Sequence, residues 1–332
     1  MTENKATVLI VGGAGYIGSH ALKELNARGY NTLVLDNLEL GHREIVEDIL
    51  GSRLLEGDIN DRPFLDRVFR ENKIDAVMHF AAYAFVGESV TNPQKYYRNN
   101  VAGTLNLLSA MVDAEVKYMV FSSSCAVYGI PDVIPIPESQ IQRPVNPYGM
   151  SKFIVERMLA DFNAAYGLKS VSFRYFNAAG ADPDGLIGED HDPETHLIPL
   201  VLQAALGKRE SIHVFGRDYD TPDGTCIRDY IHVSDLAAAH AAGLDYMMGG
   251  GETTAFNLGT ERGYSVLEVI NIAREVTGMK IDTADSDRRP GDPPILVADS
   301  KKARNVLYWS PRYPDLRETI AHAWQWHKKR HG

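Results

Sequence analysis

The stretch TVLIVGGAGYIGSH, residues 7–20, decides the fold of this chain. Its apolar run is typical of a buried strand, and it leads directly into Gly12, Gly15 and Gly18, after which a helical pattern continues to Gly29. Gly12 permits a tight turn, Gly15 lets the backbone approach a pyrophosphate, and Gly18 lets the helix pack close to the sheet. The free N–H groups at the start of that helix favour a phosphate. The stretch therefore predicts a dinucleotide-binding turn.

A second predicted strand, residues 31–35, ends in Asp36. An acidic residue about 20 positions after the glycines can bind a ribose 2′-hydroxyl, and it repels a 2′-phosphate. This spacing favours NAD over NADP as the cofactor. The alternative is a structural glycine turn with a capping aspartate, which the ordered succession of strand, glycines, helix, strand and acid disfavours.

Strand and helix patterns alternate through the first half of the chain. The predicted strands are residues 7–11, 31–35, 53–56, 74–80, 116–122 and 170–176, and the predicted helices are residues 16–29, 61–72, 93–114 and 148–166. This alternation predicts an α/β fold with a Rossmann-like, doubly wound parallel sheet and helices on both faces. Ligands bind at the carboxyl ends of such strands. Polar residues follow the strands there, namely Asp58, Ser122, Ser123, Ser124 and Asn177.

The second half predicts a smaller C-terminal substrate-binding domain. We place the NAD-binding domain at residues 1–178 and the substrate domain at residues 179–332, and we expect a segment near residues 229–260 to return to the first. The junction is rich in Gly, Pro and Asp, as loops are. The other expected features are helices 196–207, 234–248 and 315–330, a strand 211–215, a turn-rich segment 218–229, a helix cap at Ser234, and a capping box of Ser265 and Glu268.

Composition excludes several classes of protein. The 332 residues carry a net charge of -10 and are 44% hydrophobic, which suits a globular enzyme and not a nucleic-acid-binding protein. Cys125 and Cys226 form neither a disulfide framework nor a metal-ligand spacing, so we expect no metal site and a reducing compartment. We see neither a signal peptide nor an apolar run of about 18 residues. A cytoplasmic protein without a membrane partner is therefore expected.

The segment NPYGMSK, residues 146–152, places Tyr148 four residues before Lys152. On a helix, this spacing puts both side chains on one face, one turn apart. A free tyrosine titrates near ~10, and a nearby ammonium group lowers that pKa by favouring the phenolate. We expect this pair, beside a cationic nicotinamide, to act as the general base for an alcohol proton. Taken alone such a pair is usually a surface pair, so its significance depends on the elements around it.

Together these residues resemble the extended short-chain dehydrogenase/reductase family, and within it the UDP-glucose 4-epimerase branch, over nearly the whole chain. The segments that carry the resemblance are GGAGYIGSH (12–20), LDNL (35–38), EGDI (56–59), HFAA (79–82), VGESV (86–90), NNVAGTLNLL (99–108), FSSSCAVYG (121–129), NPYGMSK (146–152), RYFNAAGADPDGLIGED (174–190), DGTCIRDYIHVSDLA (223–237), AFNLGT (255–260) and RRPGDPP (288–294). The segments that begin at residues 174 and 223 are the most specific to this branch.

The resemblance implies a role for each matching residue. Tyr148 matches the catalytic base, Lys152 the lysine that holds the nicotinamide ribose, and Ser124 the hydroxyl that binds the sugar 4′-oxygen. The implied cofactor contacts are Gly12, Gly15, Tyr16, Ile17, Gly18, Asp36, Asn37, Asp58, Ile59, Phe80, Ala81, Ala82, Asn99, Ser122, Tyr148, Lys152 and Tyr175. The implied substrate contacts are Ser124, Tyr148, Asn177, His196, Leu197, Val214, Phe215, Arg228, Arg289 and Asp292.

The implied reaction is the reversible C4 epimerisation of UDP-glucose and UDP-galactose, through a transient 4-keto sugar and with tightly bound NAD. The resemblance also implies a homodimer that pairs through helices 93–114 and 148–166. Such a dimer requires an apolar stripe on the outer face of these helices. The candidate residues are more simply explained as core residues facing the sheet, and they are Leu105, Leu108, Met111, Val112, Phe153, Val155 and Met158.

Three positions depart from the pattern of many relatives. Ala84 stands where a cofactor-binding lysine is common, and His196 stands where some relatives have a uridine-site asparagine. Leu296 stands where some relatives have a bulky tyrosine that faces the sugar. A smaller side chain implies more room near the C2 substituent, so we hypothesise that N-acetylated UDP-hexosamines are also accepted.

Other activities on the same fold remain to be weighed. A UDP-pentose or UDP-uronate 4-epimerase stays open, because its chemistry at C4 is identical. A 4,6-dehydratase requires an acid and a base beside the serine, whereas Cys125 and Ala126 follow Ser124 here. A non-enzymatic NAD-binding protein need not keep the serine, tyrosine and lysine together, so their joint presence disfavours that alternative.

Overall fold

The computed structural model describes residues 5–289 and 291–332. Its strands are β1 (Thr7–Val11), β2 (Asn31–Asp36), β3 (Arg53–Glu56), β4 (Ala76–His79), β5 (Tyr118–Ser122), β6 (Lys169–Tyr175), β7 (Asn177–Ala179), β8 (Ile212–Phe215), β9 (Ile227–His232), β10 (Thr254–Leu258), β11 (Gly263–Ser265), β12 (Thr283–Ser286) and β13 (Ile295–Leu296). Its helices are α1 (Tyr16–Ala27), α2 (Arg62–Glu71), α3 (Val86–Thr91), α4 (Pro93–Tyr96), α5 (Thr104–Asp113), α6 (Pro147–Tyr166), α7 (Leu197–Ala205), α8 (Val233–Met248), α9 (Val266–Thr277), α10 (Lys301–Leu307) and α11 (Leu316–His331).

Seven strands form one sheet in the order β10-β6-β5-β4-β1-β2-β3. Every neighbouring pair in this sheet is parallel. The chain runs from β1 outward to β3 and then returns to β4 on the other side of β1. This reversal opens a crevice at the carboxyl ends of β1 and β4, where doubly wound folds bind their ligands. The predicted fold class is confirmed.

Helices cover both faces of the sheet, and each face has its own apolar core. On one face α1 and α8 bury Leu22, Leu25, Leu236 and Leu244. On the other face α2, α5 and α6 bury a second set, which includes Leu65, Leu107, Leu108, Val155 and Leu159. Burial on both faces explains the continuous apolar runs of the inner strands.

The predicted helix 93–114 is present but is not uniform. It begins at Pro93, where the Asn92 side chain accepts a hydrogen bond from the Lys95 amide, and it ends at Asp113. Its middle, Tyr97–Gly103, is a π-helical stretch. Of the residues considered for an outer apolar stripe, Leu108, Met111 and Val155 are fully buried, whereas Leu105 is 44% exposed. The buried members therefore belong to the core.

The second half contains smaller sheets and its own core. Strand β9 pairs with β7, β11 and β13, and β8 pairs with β12. A third apolar cluster joins α7, α9 and α11 through residues such as Val201, Leu202, Val269, Ile270 and Ile320. The capping box is confirmed, because Ser265 and Glu268 exchange both expected hydrogen bonds at the start of α9.

One local prediction in this half is wrong, and another holds for only part of its range. Ser234 is not the cap of α8, because the helix begins at Val233 and the His232 side chain accepts the Ser234 amide hydrogen. The segment 218–229 is turn-rich as predicted through residue 225, but residues 227–229 belong to β9. The strand was not recognised in the sequence because Arg228 and Asp229 are charged. In the fold both side chains have polar partners, Asp292 for Arg228 and Thr260 for Asp229.

The chain returns to the large sheet after leaving it. Strand β10 pairs with β6 as the edge strand, and α8 packs against α1. The division into domains at residue 178 stays a prediction. Among the described residues, no helix combines the length and apolar character needed to cross a membrane.

Candidate active site

The glycine turn is shaped by close backbone contacts. Gly12 has a φ of +83°, and a Cβ atom there would lie 2.4 Å from the Ala81 amide nitrogen. A Cβ atom at Gly18 would lie 2.1 Å from the Gly12 carbonyl oxygen, whereas one at Gly15 would meet only that oxygen, at 3.6 Å. Gly12 and Gly18 are therefore required by the fold itself. Gly15 instead leaves free space in front of the turn, as a bound pyrophosphate needs.

Helix α1 starts at this turn with its amide groups available. Gly15 is the N-cap and offers no side chain, and the first turn carries no acidic residue. Tyr16 was expected to contact the cofactor, but its hydroxyl donates a hydrogen bond to the Gly180 carbonyl oxygen at 2.7 Å. Tyr16 and Ile17 therefore offer the cofactor their main-chain N–H groups at the positive end of the helix.

The acid at the end of β2 is held in place by main-chain donors. Asp36 accepts hydrogen bonds from the amides of Ala14 (3.0 Å) and Leu38 (2.9 Å). Burial raises the pKa of Asp36, and these amide bonds act in the opposite direction. The neighbouring Asn37 accepts from the Glu39 amide. Asp36 thus lies beside the glycine turn, where a ribose hydroxyl would reach it.

Further expected cofactor residues line the ends of β3 and β4. Asp58 accepts a hydrogen bond from the Asn60 amide at 2.7 Å, and Ile59 is buried against Gly103. The Phe80 ring lies 4.9 Å from the His240 ring. Two expected contacts, Ala81 and Ala82, follow Phe80 and are half-buried. Ala84, the departure from the lysine pattern, is exposed two residues further on.

The observed cradle fits a dinucleotide. The sheet brings the glycine turn, Asp36 and the ends of β3 and β4 to one edge, as parallel strands must. Asn99 lies on the helix that borders this edge, where its amide donates to Asn100 Oδ1 at 3.0 Å. The open space before Gly15 is the observation that favours a pyrophosphate most directly.

Tyr148 and Lys152 lie together in the first turns of α6. Asn146 caps this helix by accepting a hydrogen bond from the Gly149 amide at 2.8 Å. Tyr148 is 8% exposed and Lys152 is 4% exposed. Lys152 Nζ lies 5.9 Å from the centre of the Tyr148 ring. The predicted pair is therefore buried and adjacent, unlike the surface pair that such spacing usually produces.

The protein alone does not give Tyr148 the expected lowered pKa. Burial raises the pKa of Tyr148 well above 10, with Tyr175 adding to the effect and the Ser124 hydroxyl opposing it. The prediction of a lowered value had counted two positive charges, Lys152 and a cationic nicotinamide. Lys152 itself is affected, because burial lowers its pKa to about 7 against the opposing charge of Glu156. A phenolate at Tyr148 therefore requires positive charge beyond what the chain supplies.

The three consecutive serines at the end of β5 make different contacts. Ser122 Oγ lies 2.8 Å from the Tyr175 hydroxyl. Ser123 donates to Glu156 Oε1 at 2.6 Å, away from the crevice. Ser124 caps the short 3₁₀ turn Cys125–Val127, since its Oγ accepts the Ala126 amide hydrogen. The Ser124 hydroxyl can still donate a hydrogen bond, and its interaction with Tyr148 opposes the rise in the pKa of that phenol.

A buried ion pair supports this triplet and was missed from the sequence. Glu156 and Arg174 form it at 2.6 Å, with each side chain 8% exposed. Arg174 also donates to the Tyr128 hydroxyl at 2.9 Å. Glu156 lies four residues after Lys152, on the same face of α6, so helical spacing was the available signal.

Several expected substrate residues lie in or beside β9, and others lie around β8. Asn177 opens β7, paired with Tyr230 of β9. Arg228 forms an ion pair with Asp292 and is only 12% exposed at its side chain. The guanidinium group of Arg289 lies 4.2 Å above the Phe215 ring. A guanidinium group can bind two phosphate oxygens at once, so both arginines are candidates for contact with a diphosphate.

Two expected substrate residues occupy different surroundings from those predicted. The Val214 side chain is fully buried in the core, so only its main chain can meet a ligand. The His196 imidazole lies 2.6 Å from Glu189 Oε1. Leu197, the next residue, is half-buried and opens α7. The His196 main chain, rather than its ring, is therefore the part that borders Leu197 and the predicted uridine site.

Leu296, the third departure from the pattern of many relatives, lies in β13. It pairs with Arg228 in the short strand β13. Its side chain packs against a cluster that contains Cys125, Val127 and Phe176. Cys125 directly follows Ser124, so this cluster lies next to the serine that is predicted to be catalytic.

Comparison with known proteins places the chain in a family. The sequence profile described as the NAD dependent epimerase/dehydratase family matches residues 8–259. The chain belongs to this family. The UDP-glucose 4-epimerase of Streptococcus mutans is 52% identical over 322 residues, 96% of each chain. This similarity confirms the resemblance to the UDP-glucose 4-epimerase branch.

Solved structures give the same answer. The UDP-glucose 4-epimerase of Brucella ovis in complex with NAD has a TM-score of 0.93 and 49% identity, and covers 96% of this chain and 98% of its own. The UDP-glucose 4-epimerase of Bifidobacterium longum in complex with NAD+ and UDP has a TM-score of 0.92 and 41% identity, and covers 97% of this chain and 98% of its own. Both share the fold described above over nearly its full length.

Proposed function

We propose that this protein is an NAD-dependent enzyme that epimerises UDP-glucose and UDP-galactose reversibly at C4. The observation that carries the proposal is the buried group of Tyr148, Lys152 and Ser124 at the sheet edge that the glycine turn and Asp36 share. Relatives named UDP-glucose 4-epimerase are 52% identical to the chain over nearly its whole length.

Tyr148 moves the proton in this mechanism. Its phenolic oxygen accepts the proton of the sugar 4′-hydroxyl while the Ser124 hydroxyl donates to the same sugar oxygen. Lys152 stabilises the phenolate through its charge. The nicotinamide, when bound, supplies a cation next to this pair, accepts a hydride from C4 and returns it. The Tyr148 hydroxyl then gives its proton back to the 4-keto oxygen.

Epimerisation requires that the keto sugar present its other face. The nucleotide must stay anchored while the sugar turns about its diphosphate link, so binding energy should fall on the UDP part. Arg228 and Arg289 are suited to the diphosphate, because a guanidinium group binds two oxygens at once. Asp292 pairs with Arg228, and Asn177 lies opposite Tyr230, two residues further along β9.

Two finer expectations belong to the same proposal. The room that Leu296 leaves near C2 favours turnover of N-acetylated UDP-hexosamines beside the hexoses. The protein is also proposed to be a cytoplasmic homodimer paired through the helical region 93–113 and α6. Leu105 and Tyr97 are exposed on the first of these, at 44% and 37%, and a partner helix would cover them.

The proposal is tested by proton NMR of the purified protein without added NAD. Separate samples contain UDP-galactose, UDP-N-acetylgalactosamine, UDP-arabinose and UDP-galacturonate. We expect the C4 epimer to appear with UDP-galactose and, more slowly, with UDP-N-acetylgalactosamine. Conversion confined to UDP-arabinose or UDP-galacturonate would instead assign the protein to pentose or uronate chemistry.

The Tyr148→Phe variant separates catalysis from cofactor binding. It removes the phenolic oxygen and leaves the glycine turn and Asp36 intact, so we expect NAD to copurify while turnover falls by about 10² to 10⁴. Near-normal turnover in this variant would contradict the assignment of the base. Bound NAD without conversion of any UDP-sugar by the native protein would favour a binding protein over an enzyme.

A further inference from the structure

Four side chains converge between β7 and α7, outside the catalytic group. They are Glu189, His191, Glu194 and His196, which follow one another at short intervals in the segment GEDHDPETH. One ligand atom from each lies within 4.8 Å of all the others. The cluster borders a cavity of about 240 Å³ that is also lined by His327 and His331.

Three polar atoms of this cluster are buried without a hydrogen bond, whereas Glu194 Oε1 accepts the amide hydrogens of Thr195 and His196. Glu189 is 3% exposed. Its Oε1 atom and the Nδ1 atoms of His191 and His196 have no hydrogen-bond partner among the described residues. Yet Glu189 Oε1 lies 3.3 Å from His191 Nδ1 and 2.6 Å from His196 Nδ1. At these distances the atoms form ion pairs when the histidines are protonated. When the imidazoles are neutral, the same atoms are close enough to bind a shared third partner.

The donor set identifies the chemistry of that partner. Two imidazole nitrogens and two carboxylate oxygens are ligands that Zn²⁺ accepts, and tetrahedral bonds of about 2.0–2.1 Å place neighbouring ligand atoms about 3.3 Å apart. Glu194 lies 3.7 Å from His191 Nδ1 and 3.3 Å from His196 Nδ1. We propose that Glu189, His191, Glu194 and His196 form a binding site for one zinc ion. All four positions are filled by protein, as in structural rather than catalytic zinc sites.

A zinc ion here would connect the segment before α7 to the start of α1. The His191 ring packs edge-on against the rings of Tyr16 and Phe85, at 6.2 and 6.1 Å. Tyr16 begins helix α1 at the glycine turn. His196 caps α7 and precedes Leu197 at the predicted uridine site. The ion would therefore tie the cofactor-binding turn to the start of the substrate-binding helix.

The competing arrangement uses the same residues without an ion. Two imidazolium and two carboxylate groups would then form neutral pairs. Burial opposes a charged His191, but Glu189 and Glu194 outweigh it and raise its pKa to about 9. This arrangement predicts a protein free of metal, so metal content distinguishes the two directly.

The first experiment measures zinc in untagged protein. The protein is produced with zinc in the medium, passed through a desalting column, and analysed by mass spectrometry of its metals. We expect about one zinc per chain, since structural sites of this type bind tightly. His191→Ala should lose most of it. The matched control is His213→Ala, an exposed histidine that bonds Ser286, which should keep the zinc.

A second measurement covers the case in which His191→Ala does not fold. Native protein is stripped with a chelator and reloaded with Co²⁺, which is expected to give the intense visible absorption of a four-coordinate ion, and zinc should raise the thermal midpoint of the stripped protein. Zinc well below one per chain, zinc retained by folded His191→Ala, or a weak six-coordinate cobalt spectrum would each overturn the proposal. None of these readouts depends on turnover, so they stand apart from the proposed reaction.

Discussion

Lys152 Nζ donates a hydrogen bond to the main-chain carbonyl oxygen of Ser122 over 2.8 Å. This bond joins α6 to the end of β5 and fixes the ammonium group where the nicotinamide ribose is expected. The carbonyl oxygen satisfies one of three ammonium donors. The other two can serve the ribose, and the charge can serve Tyr148.

We expect Lys152→Met to lower kcat by about 10² to 10⁴, the range of general acid–base effects. The substitution keeps the length of the side chain and removes the charge that favours the Tyr148 phenolate. The activity profile should also move to higher pH, because the phenol then ionises less readily. Steady-state kinetics across pH check both effects. Lys280→Met, at a side chain that is 84% exposed, is the control and should change neither.

The same lysine should make stability depend on pH. Burial lowers the pKa of Lys152 to about 7, whereas an unfolded lysine titrates near about 10.4. Between these values the unfolded chain binds a proton that the folded chain does not. This residue therefore destabilises the fold below pH 7, and its penalty disappears as the pH rises to about 10, by up to about 1.4 kcal/mol per pH unit.

Chemical denaturation at several pH values measures this effect. The free energy of unfolding of the native protein should rise steadily relative to that of Lys152→Met from pH 7 to pH 9. Other titrating groups are common to both proteins and cancel. A constant difference over this range would show that Lys152 titrates normally.

Gly18→Ala and Gly15→Ala should differ in what they damage. A Cβ atom at Gly18 meets the Gly12 carbonyl oxygen at 2.1 Å, so the turn must shift and both stability and NAD retention should fall. A Cβ atom at Gly15 makes only one ordinary contact, at 3.6 Å. Gly15→Ala should therefore fold normally and still lose NAD, because the methyl group occupies the space for the pyrophosphate. Thermal melts and cofactor extraction test the pair; equal melting losses would contradict it.

Glu156→Gln should destabilise the protein by about 3–5 kcal/mol, the usual cost of removing one partner of a buried ion pair. The substitution leaves the Arg174 charge buried without its carboxylate. Denaturant titration gives the free energy of unfolding. Arg157→Gln, at the adjacent exposed position on α6, is the matched control and should change it by less than about 0.5 kcal/mol. Comparable losses in the free energy of unfolding in the two variants would show that the ion pair does not stabilise the fold.

Leu296→Tyr should narrow the range of substrates. The larger side chain fills the space near the C2 substituent, so kcat/KM for UDP-N-acetylgalactosamine should fall about tenfold or more while UDP-galactose changes little, as pocket-size effects allow. Leu296→Met, which conserves volume, should retain both. Parallel loss of both substrates in Leu296→Tyr would indicate damage to the site instead of a change in selectivity.

The sequence predicted the cofactor half well because its signals are local. Strands 7–11 and 53–56 were predicted to the residue, and α1, α2 and α6 to within two residues at each end. Glycines, a Pro at the start of α6 and the apolar runs of buried strands each act within a few positions. Their physical causes therefore appear in the sequence itself.

The parts that could not be predicted depend on distant partners. Strand β9 carries Arg228 and Asp229, and Asp229 is buried because the amides of Thr260, Glu261 and Ala298 reach it from other elements. The pKa of Tyr148 depends on how completely neighbouring elements enclose it. Local spacing reveals neither. The Glu189 cluster did have a local signal in its alternating Glu and His residues, but the sequence analysis expected no metal site because it considered only the spacing of the cysteines.

The position of β10 limits which fragments of the chain can form the complete large sheet. A fragment that stops at residue 178 would lack both the strand that pairs with β6 and the helix that covers α1. The edge of β6 would then present an unpaired row of amides, which invites aggregation. Because the last strand of the large sheet is synthesised only after residue 254, the cofactor-binding half cannot be completed on the ribosome until three quarters of the polypeptide has emerged.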